Sequence, residues 1–108
     1  MYTAAQLKYM LALGELSENG SVRTVDLART LNIQRSSVFN MLNKLEIAGI
    51  VEKKEDKTVE LTEKGKNKVD IISGRVSDIV SKMKESFNLD NGKAEECALL
   101  ILSFDEKL

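Results

Sequence analysis

The sequence predicts a mostly α-helical fold with one small β-hairpin: a winged helix-turn-helix unit followed by a helical segment. Three observations predict it. Thr24 to Gly49 reads as two short helices around a tight turn. Ile50 to Leu61 alternates apolar and polar residues on either side of a polar turn. Beyond them, Val69, Ile72, Val76, Ile79 and Met83 are spaced 3, 4, 3 and 4 apart, a heptad-like seam. A chain of 108 residues suits one compact structural unit, divided here into residues 1–62 and a helical dimerisation segment, residues 63–108.

The elements follow in order. Thr3-Ala4-Ala5-Gln6 has the form of a capping box, and Leu7, Met10, Leu11 and Leu16 then make a helical stripe ending near Gly20. This predicts a first helix over Thr3 to Asn19. Thr24 can cap the second helix, with Val25, Ala28 and Leu31 facing inward and Asp26 near the positive helix end. Asn32-Ile33-Gln34 makes the turn. The third helix runs from Arg35 to Ala48, stopped by Gly49 in a left-handed conformation. Ile50 to Lys54 and Thr58 to Leu61 are the two strands of the wing, joined by Glu55-Asp56-Lys57. Thr62 caps a long helix from Glu63 to Ser86, about 36 Å at 1.5 Å per residue, which is more than a small domain needs to cover its core. It is expected to project toward a second copy. After a loop at Asn88 to Gly92, a last helix from Lys93 to Lys107 is apolar all round between Cys97 and Leu102, so it should be buried.

Composition excludes several classes of function. The chain has no histidine, which removes imidazole bases, Ser-His and Cys-His nucleophile pairs and HExxH zinc helices. The six scattered glycines form neither GxGxxG nor a P-loop, and the carboxylates lie mostly among lysines. An enzyme is not expected. The longest apolar run, Cys97 to Leu102, is far below the roughly 20 residues of a membrane span, and the first residues do not have the order of a signal peptide. The single cysteine suits a reducing compartment, so the expected location is cytoplasmic. Glu95 and Glu96 beside Cys97 disfavour a reactive thiolate, which makes core packing its expected role.

A helix-turn-helix unit must bury one face of its second helix and leave the other bare. Val38, Met41, Leu42 and Leu45 recur at i, i+3, i+4 and i+7 as the buried stripe. Ser36, Ser37, Asn40 and Lys44 fall on the opposite face, where small and long polar groups suit phosphates and base edges of a major groove. Arg35 opposes the helix dipole in the first turn, a placement that a nearby phosphate would explain. The net charge of −1 supplies no overall attraction to nucleic acid, but Arg35, Lys44, Lys53, Lys54 and Lys57 cluster on the third helix and wing. Double-stranded DNA is the expected partner.

Taken together, DLARTL, then RSSVFNMLNKLE, then LTEKGK at the opening of the long helix resemble the diphtheria-toxin-repressor family, especially its manganese-transport repressors. The resemblance covers nearly the full chain, with weaker similarity around EEC and SFDEKL, and the wing lacks the Asp-x-Arg of MarR-like regulators. It implies a homodimeric transcriptional regulator, a repressor like its relatives, on a palindromic operator, and it aligns Gln34, Ser36, Ser37 and Asn40 with positions that meet DNA. Arg35 stands where manganese-type members often carry proline, so its role rests on the dipole argument alone. The resemblance also implies a divalent metal joining the first helix to the dimerisation helices. The aligned ligand positions are Leu7 and Met10, a residue within Gly74 to Val76, and Cys97, Leu100 and Ile101. Only Cys97 and Met10 carry a donor atom. No metal and no cofactor are expected, and the joint should be held by apolar packing. Two other readings stand beside this one: a winged-helix protein-interaction module, and a metal-responsive repressor with an atypical site. The dimer interface is expected along Val69, Ile72, Val76, Ile79 and Met83, and the effector is left open.

Overall fold

The computed structural model describes the backbone of residues 1–108 and every side chain except that of Asn19. The first helix, α1, spans Ala4–Leu16 and opens with the expected capping box: Thr3 accepts from the Gln6 backbone N–H while the Gln6 side chain accepts from the Thr3 N–H. A 3₁₀ turn, Ser17–Asn19, completes the predicted length. Because α1 touches α2 (Thr24–Leu31), α4 (Glu63–Phe87) and α5 (Asn91–Ser103), it is buried on more than one face. Tyr9, Ala12 and Leu13 therefore join Leu7 and Met10 in the core, while Leu11 and Leu16 stay half-buried.

Between α1 and α2 lies a two-residue strand, β1 (Val22–Arg23), that the sequence analysis does not anticipate. It pairs antiparallel with β3 (Thr58–Leu61), which pairs in turn with β2 (Val51–Lys53), giving the order β1-β3-β2. The chain passes directly from β1 into α2. Thr24 is consequently the first helical residue rather than the cap, and its N–H donates to the carbonyl of Lys57 at 3.3 Å instead. In α2 the fully buried side chain is Leu27, beside Ala28; Val25 and Leu31, expected inward, are half-buried.

The turn Asn32 to Gln34 leads into α3, Arg35–Ile47, with Asn32 left-handed at φ 54°. Val38, Leu42 and Leu45 are buried and Met41 half-buried, as the periodicity requires. Gly49, at φ 79°, ends the helix in the left-handed conformation that favours glycine. Thr62 then fixes how the long helix leaves the domain. Its hydroxyl donates to the Gly49 carbonyl at 2.5 Å and accepts from Gly65 N–H at 3.0 Å, and its own N–H donates to the Ile50 carbonyl at 3.0 Å.

The long helix does not present the expected seam to a second copy. Val69, Ile72 and Val76 are buried within the protomer, and only Ile79 and Met83 remain half-buried. The reason is that α5 turns back across α4 and α1, while Gly14 on α1 lets Val69 approach so closely that a β-carbon there would sit 2.6 Å from the Val69 methyl. The final helix also differs. Asp90 caps it two residues earlier than expected, and it ends at Ser103 rather than Lys107, with Arg75 of α4 paired to Asp105 beyond its end. Only Ala94, Ala98, Leu99 and Leu102 are buried, so the stretch Cys97 to Leu102 is apolar all round but covered on one side; Leu100 and Ile101 are 56% and 44% exposed.

Candidate nucleic-acid interface

The turn and α3 expose the candidate reading face. Gln34, Arg35, Ser36, Ser37, Asn40 and Lys44 all reach solvent, because the buried stripe holds the other side of the helix against the core. Gln34 occupies the N-cap position without a side-chain cap bond, which leaves its amide free for an outside partner. Arg35 does not stand alone. With Arg23 of β1 and Lys57 of the wing turn it lines a hollow of 290 Å³, shared with Thr24, Val25 and Asp56. Three cations around one opening suit a phosphate, and Asp56 moderates their charge. Arg23 is missed by sequence reasoning because its position depends on pairing with Thr58, 35 residues away, in a strand too short to leave a periodic signal.

The wing lysines divide into three situations. Lys57 is exposed at the turn, at φ 63°, and its carbonyl holds the start of α2. Lys54 lies 3.4 Å from Glu52 and 3.7 Å from Glu60. The hydrogen bond and charge of Glu52, followed by Glu60, raise its pKa, so its charge is already shared with two carboxylates and less available to DNA. Glu60 is in turn held below its ordinary value, first by the Ser21 hydroxyl that donates to it at 2.7 Å and then by Lys54.

Lys53 is half-buried because it folds back onto α3. Its ammonium lies 4.2 Å from the centroid of the Phe39 ring and donates to Asn43 Oδ1, while its backbone N–H donates to Glu46 Oε2 at 3.2 Å. The wing is thereby fastened to α3 through its first strand. Phe39 is 60% exposed and Ile47 88% exposed on that helix. Both were missed, although an apolar residue at an outward helical position is the available signal. At the wing tip Asp56 accepts from the Thr58 hydroxyl at 2.5 Å, and this bond lowers its pKa.

The arrangement does not fit a divalent ion at the metal positions implied by the resemblance. Leu7 and Met10 are fully buried in the apolar core, Leu100 and Ile101 carry no donor, and Cys97 is half-buried. Within the linker-helix region, Arg75 brings a permanent cation paired with Asp105. Among the described residues no group of three or more acidic, cysteine or histidine side chains could hold a metal. Nor is any described helix long and apolar enough to cross a membrane.

Comparison with known proteins agrees with this geometry. The chain superposes on the manganese regulator SloR with a TM-score of 0.79 at 20% identity, covering 94% of this chain and 47% of SloR. The hypothetical protein SSo2273 from Sulfolobus solfataricus gives 0.69 at 24% identity, covering 98% and 82%. The IdeR of T. acidophilum gives 0.65 at 22% identity, covering 94% and 48%. The chain thus spans about half the length of SloR and of IdeR. At these identities the likeness shows the winged-helix fold. No curated protein sequence matches the chain. Residues 3–59, more than half of the chain, match the iron dependent repressor, N-terminal DNA binding domain. The α1 helix, the helix-turn-helix and the wing as far as Val59 fall in that stretch, and the chain therefore belongs to the iron dependent repressor family of DNA-binding winged-helix regulators.

Proposed function

We propose that the protein is a homodimeric transcriptional regulator that binds a roughly palindromic operator and needs no metal to do so. One observation carries this reading: the outward face of α3, with Ser36 and Asn40, lies beside the hollow formed by Arg23, Arg35 and Lys57, so groups suited to bases and groups suited to phosphates are adjacent. In the docking that follows, α3 enters the major groove and the wing turn meets the neighbouring backbone. Dimerisation is supported by apolar side chains left bare on α4, on α5 and at the α5 C-cap: Ile71 at 54%, Leu100 at 56%, Phe87 at 66% and Phe104 at 81% exposure. These replace Val69, Ile72 and Val76 as the interface, with Ile79 and Met83 at its margin. A two-fold pair would present two recognition helices about one DNA turn, about 34 Å, apart.

Independence from metal is supported by the apolar residues at the ligand positions, of which Leu7 and Met10 are fully buried, and by the α1, α4 and α5 core that already joins the two parts of the chain. Exposed Phe39 and Ile47 favour a second reading, a protein-interaction module. A salt titration separates the two. Binding to a DNA site enriched from random duplexes should fall steeply with salt, and Arg35→Ala or Lys57→Ala should flatten the slope by about one counterion each. Asn40→Ala should weaken the enriched site by about 1 to 3 kcal/mol while sparing random duplex. Weak, salt-insensitive binding without sequence preference would favour the interaction module.

A further inference from the structure

Ser36, Phe39, Asn40 and Asn43 follow the i, i+3, i+4 and i+7 spacing and share the face of α3 that turns away from Val38, Leu42 and Leu45. Three of the four are polar; Phe39 is not, and its ring is 60% exposed. Core packing does not account for it. The ring is nonetheless held, because the Lys53 ammonium sits 4.2 Å from its centroid. Lys53 is itself anchored by Asn43 and Glu46. The ring also walls a hollow of 300 Å³ shared with Thr24, Arg35, Ser36 and Val38. An oriented aromatic ring among hydrogen-bonding side chains has a specific counterpart in a major groove. All four bases present donors or acceptors there, and only thymine adds an apolar 5-methyl group.

We propose, on the reading of the protein as a DNA-binding regulator, that Phe39 is a specificity-determining residue that packs against the 5-methyl of one thymine in each operator half-site. Lys53 is its positioning residue. The ammonium fixes the ring and also brings a cation to the groove edge, so apolar readout and backbone attraction arise from one contact between wing and helix.

The test uses the full chain and a duplex enriched from a random pool by the wild-type protein. Each thymine is replaced in turn by deoxyuridine, which deletes only the methyl, and affinity is read by fluorescence anisotropy at fixed salt. One thymine per half-site should lose about fourfold in wild-type affinity on replacement, the effect of burying one methyl-sized group. Phe39→Ala should bind the thymine duplex more weakly and no longer distinguish thymine from deoxyuridine at that position, with other positions unchanged. Phe39→Leu should retain part of the discrimination. Circular dichroism should show both variants folded, since the ring lies outside the core. Discrimination that survives Phe39→Ala, or a wild type indifferent to every methyl on a duplex it binds tightly, overturns the inference and leaves DNA binding intact. Failure to enrich any duplex overturns DNA binding itself, and this inference with it.

Discussion

Gly65→Ala should destabilise the protein even though it replaces glycine by the best helix former inside a helix. A β-carbon at Gly65 would lie 2.1 Å from the Ile50 carbonyl oxygen and 3.0 Å from its carbon, both backbone atoms. Relief requires separating the first turn of α4 from the Ile50 backbone, between α3 and β2, by roughly 1 Å. That motion strains the three bonds made by Thr62: its N–H to Ile50, its hydroxyl to Gly49, and the Gly65 N–H to its hydroxyl. Overpacking costs about 1 to 3 kcal/mol and each weakened bond up to about 1, against a gain of about 1 from helix propensity. The net expectation is a loss of about 2 kcal/mol, or a Tm lower by about 10 °C for a chain of this size. Gly74→Ala supplies the control, because nothing lies within 4 Å of a β-carbon there and propensity acts alone. It should raise Tm by a few degrees, about 4 °C. Thermal unfolding followed by circular dichroism measures both, and a Gly65→Ala protein as stable as Gly74→Ala would refute the close-approach argument.

Three further outcomes are expected. Micromolar manganese, iron or zinc should leave Tm and DNA affinity unchanged, since an ion stabilises only a folded state that it binds; a Tm increase with manganese and loss of binding in chelator would contradict this. Light scattering at micromolar concentration should give twice the 12.0 kDa chain mass. Leu100→Asp should yield folded monomers, whereas Val76→Asp should unfold the protomer by burying an unpaired charge; a monomeric wild type would rule out the dimer. The Arg75 hydrogen bond holds the Asp105 carboxyl below its ordinary 3.8, so its contribution is complete above that value and is lost as pH falls through the lower folded-state pKa. The Tm difference between wild type and Arg75→Ala should therefore shrink on acidification from about pH 4 to pH 2, and a constant difference would show that the pair does not contribute.

The sequence by itself determined those features whose signals lie within a few turns of chain. The buried stripe of α3 follows from one helical period, Thr3 and Thr62 announce helix starts through their own side chains, and Gly49 marks a helix end because glycine tolerates positive φ there. The solvent-exposed face of α3 opposite that stripe was legible for the same reason. Contacts between distant segments left no such trace. Only the tertiary structure decided that Arg23 joins Arg35 and Lys57, that Lys53 is docked on Phe39 and that Lys54 is shared by Glu52 and Glu60. It also decided the fate of the heptad-like seam. Periodicity shows that Val69, Ile72 and Val76 lie on one apolar face, but burial depends on which surface reaches that face first, and here the returning α5 and the close approach at Gly14 cover it within one protomer.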